Sequence, residues 1–156
     1  MEKEHHYTAT ITWTGNRGTG TSGYTAYDRD HTLVVDGKPE IPGSSDPAFR
    51  GNKNRYNPED SFVAAISACH MLWYLHVCAV NGVIVEQYVD KAFGTMIENP
   101  DGSGQFSEVI LHPEVTLQKA DMKEKAIALH EDAHRMCFLA RSVNFPVRHQ
   151  PIILIP

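Results

Sequence analysis

Three cysteines and two histidines at helical spacing are the groups in this sequence whose types and positions suggest chemistry. Cys69 and Cys78 lie with His70 and His76 in NPEDSFVAAISACHMLWYLHVCAVNGV, residues 57–83, and Cys137 follows in AHRMCFLARSVNFPV. In a reducing compartment a disulfide among them would be catalytic or redox-sensing. Cys69 and Cys78 are nine residues apart. On one straight helix they would face opposite ways, roughly 13 Å apart along the axis, which is beyond disulfide reach. Cys137 shares a stripe with Leu129, Ala133, Met136 and Ala140 that must face the core. Cys69 with Cys137 is therefore the more reasonable pair, if one forms. Spacing alone leaves open that all three are small buried hydrophobes. His70 and His76 read as core or interface side chains in preference to ligands.

A second pattern competes. His130-Glu131-Asp132-Ala133-His134 fits H-E-x-x-H, whose two histidines share one helix face as zinc would need. No aspartate or glutamate follows it, and His149 is the one downstream histidine. The expectation is a solvated, charged helix face and no metal. His5 and His6 read as a disordered terminal pair.

The elements that must hold these groups can be read from periodicity. YTATITW alternates as a half-buried strand, GNRGTGTSG is a glycine-rich turn containing Arg17, and residues 24–27 and TLVVDG give two further strands. Residues 37–56 have no periodicity and form a long irregular loop. Asn57, Pro58, Glu59 and Asp60 start a long helix with a cap, a first-turn proline and acidic residues, and Gly82 ends it. VIVEQYVDKAFGTMI and FSEVILHPEVTLQ flank a hairpin signal at Asp101-Gly102. A second helix is expected over about 119–142, capped by Asp121 with Glu124, and PIILI closes the chain. The order βββ-α-ββ-α-β is α+β, with two helices on antiparallel sheet.

With 156 residues, 42% hydrophobic and 21% charged, one domain over 1–156 is expected, residues 1–6 being flexible. A net charge of −5 with scattered basic residues argues against nucleic acid. No leader-like apolar stretch opens the chain, and the helix carrying the thiols is broken by His70, His76 and Asn81. It reads as a core helix and not a membrane span, in a cytoplasmic protein. Apolar on almost every face, that helix needs covering on all sides, which points to a homodimer.

The stretch NPEDSFVAAISACHMLWYLHVCA resembles the OsmC/Ohr family of cysteine-based peroxidases. Asn57-Pro58-Glu59 and Ala68-Cys69 match its motif, Cys137 its second cysteine, and Arg17 in GNRGTG its arginine. The resemblance runs from about Tyr7 to Ile155. It implies an OsmC-like fold: two intertwined protomers, with central helices buried between antiparallel sheets. It also implies an enzyme reducing organic hydroperoxides, and less efficiently hydrogen peroxide, to alcohols. In that cycle Cys69 becomes a sulfenic acid, a Cys69–Cys137 disulfide follows, and a dithiol reductant of lipoyl type resets it, without cofactor or metal. Arg17 would hold the Cys69 thiolate against the upward pull of burial on its pKa, and Glu59 would orient Arg17. Glu59 lies ten residues before Cys69, roughly 15 Å along one helix, so the site is expected to be completed in trans.

Where relatives often place proline after the second cysteine, this chain has Phe138, which would leave Cys137 on a more regular helix. A pocket of Phe49, Phe62, Met71 and Trp73 would favour apolar peroxides. The alternatives are a non-catalytic dimer of the same fold binding a small apolar ligand, and a zinc hydrolase.

Overall fold

Alternation in the first segment produces β1 (Thr10–Trp13), which pairs antiparallel with β2 (His31–Val34); β2 pairs antiparallel with β3 (Ile41–Gly43). The computed structural model describes residues 1–155, in two compact units: Met1–Ser61, and the chain from Phe62 onward. Residues 24–27 are turn and bend, not the expected strand. The reason is Arg29. Its guanidinium lies over the rings of Tyr24 and Tyr27, at 4.7 and 4.0 Å, and donates to both their carbonyls, so the segment curls around a cation. Residues 37–56 hold more order than a loop. Besides β3 they contain a 3-10 turn, Pro47–Phe49, whose Ala48 N–H is bound by the Asp46 carboxylate at 2.7 Å.

The long helix, α1, is Pro58–Val80. Asn57 caps it as expected, its side-chain oxygen accepting the Asp60 N–H at 2.7 Å. Beyond its end Gly82 adopts a φ of 72°, a left-handed conformation that glycine reaches without strain. One stripe of α1 is buried: Ile66, His70, Tyr74, Val77 and Cys78. The opposite stripe, Ala65, Ala68, Leu72, His76 and Ala79, is exposed. By length and composition alone α1 could cross a membrane; its buried stripe, however, carries His70 and Tyr74, both hydrogen-bonded to the second helix.

Each of the two strands expected between the helices resolves into two. VIVEQYVDKAFGTMI breaks at Lys91 and Ala92 into β4 (Val85–Asp90) and β5 (Phe93–Glu98). FSEVILHPEVTLQ contributes to β6 (Gly104–Leu111) and β7 (Pro113–Leu117), parted at His112, whose N–H is taken by the Asp90 carboxylate at 2.7 Å. The hairpin joining β5 to β6 turns at Asp101-Gly102, with Gly102 at a φ of 85°. After the second helix come β8 (Val147–His149) and β9 (Ile152–Leu154). Two three-stranded sheets result, in the orders β4-β7-β9 and β5-β6-β8; in each the last strand runs parallel to its neighbour.

The second helix, α2, is Lys123–Met136, shorter than the expected 119–142 because 3-10 turns at Ala120–Met122 and Ala140–Ser142 flank it. Asp121 falls in the first of these turns, and Met122 holds the capping position without a side-chain bond, so the expected capping box does not form. Ala126, Leu129, His130 and Ala133 face inward, packing with Tyr74, Val77 and Cys78 of α1 on Val115, Leu117 and Ile153 of the sheet. Met136 is exposed, since the helix ends there.

Candidate functional site

Cys69 sits on α1, half-buried, and Cys137 is fully buried at the carboxyl end of α2; both are free thiols. The structure sets the two thiols near enough for Cys69 to act on the Cys137 thiol. Burial first, and then this contact, push the Cys137 thiol up to about 11, so Cys137 is protonated at neutral pH. Helical geometry stops at Cys137, where ψ is 111°. Its N–H still donates to the carbonyls of Ala133 and His134, and its sulfur accepts the Ala140 N–H at 3.4 Å. The more regular helix expected from Phe138 is therefore not found. The chain leaves α2 at Cys137 without a proline, and the sulfur receives an N–H of the following turn. Phe138 is exposed and packs edge-on against Trp73, ring centroids 5.5 Å apart.

Cys78 is a packing residue. It is buried in the core between α1 and α2, in contact with Tyr74, and burial pushes its thiol up. The Tyr74 hydroxyl donates to the Ala126 carbonyl at 3.0 Å.

Arg17 is exposed in the first unit, paired with Asp28 at 3.6 Å and hydrogen-bonded to the Thr25 carbonyl. Glu59, in the first turn of α1, is half-buried, and its Oε2 is enclosed without a hydrogen-bond partner. Among the described residues Arg17 and Glu59 form no ion pair; the carboxylate that holds Arg17 is Asp28. The aromatic pocket expected from Phe49, Phe62, Met71 and Trp73 is not assembled on α1. Phe62 packs with Phe106 and Phe145, whereas Trp73 packs with His76 and Phe138. Eleven residues separate the two, roughly 16 Å along the helix.

His130 is where the sequence reading fell short: it is wholly buried, not solvated, whereas His70 is buried as expected. His70 Nε2 and His130 Nδ1 lie 3.0 Å apart in rings tilted by only 4°, with centroids 5.3 Å apart. That is a head-to-head hydrogen bond between two neutral imidazoles. Burial lowers His70 to about 4, helped by His149 and His134. Burial likewise lowers His130 to about 3, with His70 and His149 contributing. The Tyr74 ring stacks on His130 at 3.8 Å. His149 lies against His70, His130 and His134, its Nε2 3.6 Å from the exposed Glu131 carboxylate.

Zinc does not fit the His70–His130 contact. Two tetrahedral Zn–N bonds would hold the nitrogens about 3.3 Å apart with their lone pairs converging at an angle, whereas these nearly coplanar rings aim the nitrogens at each other across 3.0 Å. Among the described residues no three His, Cys, Asp or Glu side chains converge as a metal site. The signal for the pair was present in the spacing, since His70 adjoins Cys69 and His130 stands seven residues, about two turns, before Cys137.

The family of OsmC-like proteins matches over residues 51–151. An OsmC-like protein of unknown function from Vibrio cholerae is 30% identical and superposes with a TM-score of 0.86, over 96% of this chain and 100% of that one. An organic hydroperoxide resistance protein OsmC from Legionella pneumophila is 18% identical, with a TM-score of 0.70 over 97% of this chain and 98% of its own. An organic hydroperoxide resistance protein from Elizabethkingia anophelis, with thiocyanate bound, is 20% identical, with a TM-score of 0.72 over 100% of both chains. At those two identities the likeness is one of fold. No curated protein matches the chain.

Proposed function

Because the chain belongs to the family of OsmC-like proteins, we propose that it is a cytoplasmic thiol peroxidase acting on organic hydroperoxides. The observation that carries the reading is the meeting of Cys69 and Cys137, one half-buried and the other buried and held as a thiol. The Cys69 thiolate attacks the distal peroxide oxygen; the O–O bond breaks, an S–O bond forms, and the alkoxide takes a proton and leaves as the alcohol. Cys69 is then a sulfenic acid. The Cys137 sulfur attacks it, and hydroxide departs with the Cys137 thiol proton as water, leaving a Cys69–Cys137 disulfide. A dithiol of lipoyl type supplies two electrons and two protons to restore both thiols. Keeping Cys137 protonated prevents it from competing for peroxide, since the thiolate is the nucleophile.

The exposed stripe Ala65, Ala68, Leu72, His76 and Ala79 supports a homodimer. Only 28% of the most apolar window of α1 is buried within one chain, and small side chains let a second α1 approach closely. Arg17 and Glu59 would complete each site in trans, since Glu59 lies ten residues before Cys69, roughly 15 Å along one helix. A second reading, a non-catalytic dimer holding a small apolar ligand, draws on the shallow hollow lined by Leu72, Trp73 and His76.

The test is a stoichiometric titration of the reduced protein with cumene hydroperoxide and, separately, with hydrogen peroxide, counting thiols and mapping peptides. Loss of two thiols per chain with a Cys69–Cys137 link, faster with the organic peroxide, is expected. No thiol loss at equimolar peroxide would leave the ligand-binding dimer as the better account. Cys69→Ser separates the same two readings, abolishing peroxide consumption while sparing ligand binding.

A further inference from the structure

We propose that His70 and His130 are positioning residues for the thiol pair: their hydrogen bond sets the register of α1 on α2 at which Cys69 and Cys137 meet. Only the use made of the disulfide rests on the peroxidase reading; the positioning itself does not.

Two buried hydrogen bonds tie the helices together, His70 to His130 and Tyr74 to the Ala126 carbonyl, and Lys125 adds a third to the Asn81 carbonyl at 2.7 Å. As the α1 partner advances along the sequence the α2 partner retreats, so the helices run antiparallel. The histidine bond is the tie nearest the sulfurs, next to Cys69 and on the stripe that leads to Cys137. It is also strongly directional. Nearly coplanar rings facing each other at 3.0 Å cannot follow a slide of one residue, about 1.5 Å along a helix, whereas apolar side chains repack across such a slide. The Tyr74 ring, stacked on His130 at 11°, holds the imidazole in that plane.

Stability is a poor reason for this pair. A neutral imidazole carries one donor and one acceptor. Each ring here uses one nitrogen and leaves the other, His70 Nδ1 and His130 Nε2, buried with no partner. Whichever tautomer is present, one orphan is a donor and the other an acceptor. Two leucines would fill the space with no orphan, but would not specify a register. Register is what Cys137 needs. It lies just past the last residue of α2, and its sulfur takes the Ala140 N–H of the turn that follows, so a shift of the final turns of α2 carries it away from Cys69.

The experiment measures the Cys69–Cys137 reduction potential of the full chain in glutathione redox buffers, which needs no peroxide. His130→Leu and the double variant His70→Leu/His130→Leu are expected to lower the equilibrium constant for disulfide formation tenfold or more, making the couple more oxidising by about 30 mV. His130→Asn, whose amide can occupy the place of Nδ1, restores most of the loss. Tyr74→Phe, which removes the other buried tie, lowers Tm and leaves the potential unchanged. An unchanged potential in the double variant overturns the proposal, as does a potential that follows Tm across all the variants. So does a wild-type protein that forms no Cys69–Cys137 disulfide, even if Cys69 consumes peroxide. Conversely, a disulfide weakened in His130→Leu in a protein that consumes no peroxide removes the peroxidase reading and leaves this one standing.

Discussion

Acidification should unfold this protein through two buried imidazoles, and the amount can be worked from their pKa values. His70 and His130 titrate at about 4 and about 3 in the folded chain, against about 6.5 in an unfolded one. Both folded values are depressed, so the stability they contribute is whole above pH 6.5. It is lost as pH falls from there towards the folded values, because only the unfolded chain takes up the protons. At pH 5 both rings are still neutral in the folded state, and their mutual coupling does not enter. Each then forfeits about 2 kcal/mol, 1.5 pH steps at 1.36 kcal/mol, and the two together about 4 kcal/mol. Set against a typical domain stability of about 5–15 kcal/mol, that is a large share. Urea unfolding of wild type and of His70→Leu/His130→Leu, each at pH 7.5 and pH 5, isolates the term, because the other histidines remain in both proteins. The wild type should lose about 4 kcal/mol more than the variant between the two pH values. Equal losses would mean that the pair is not held neutral in the interior, and the reasoning from its burial would fail.

Other expectations concern the thiols and the interface. In Cys137→Ser the first equivalent of peroxide should still be consumed, but without a disulfide, and mass spectrometry after excess peroxide should find Cys69 as sulfinic acid. If Arg17 steadies the thiolate of the proposed cycle, Arg17→Ala should slow peroxide consumption roughly 10-fold or more, and an unchanged rate would remove it from the site. Refolding equal amounts of Arg17→Ala and Cys69→Ser chains together should restore about a quarter of the activity if the arginine acts across the dimer, since about half the dimers are mixed and each has one intact site; failure to restore any would place it in cis. Leu72→Asp on the exposed stripe of α1 should shift sedimentation from dimer to monomer, and an unchanged profile would locate the interface elsewhere.

Local signals in the sequence were dependable where the physics is local. Asn57, Pro58 and Gly82 bound α1 because a cap, a fixed φ and a left-handed turn depend on the residue and its near neighbours. That Cys69 and Cys78 lie apart was likewise accessible, since nine residues on one helix put them on opposite sides. Failures arose where a distant or unexpected partner decided the outcome. Residues 24–27 have the composition of a strand but are gathered by Arg29, which periodicity does not see. The histidines of H-E-x-x-H were placed on the wet side of α2 because their polarity outweighed the stripe they share with Leu129 and Ala133.

That last miss bears on how the site is built. A polar residue on an apolar stripe is usually read either as a misplaced surface residue or as a ligand, and His130 is neither. It is buried because α1 presents a matching imidazole at the same level, and each ring makes the other tolerable in the interior. The arrangement leaves two nitrogens unsatisfied, an expense that a core selected only for stability would avoid. Beside it, Cys137 sits where α2 has just ended, so the helix cannot fix its sulfur through backbone geometry alone. A directional bond placed two turns upstream supplies that constraint. It does so without closing off Cys137, which in the proposed cycle must still move the short distance from a thiol contact to a covalent bond.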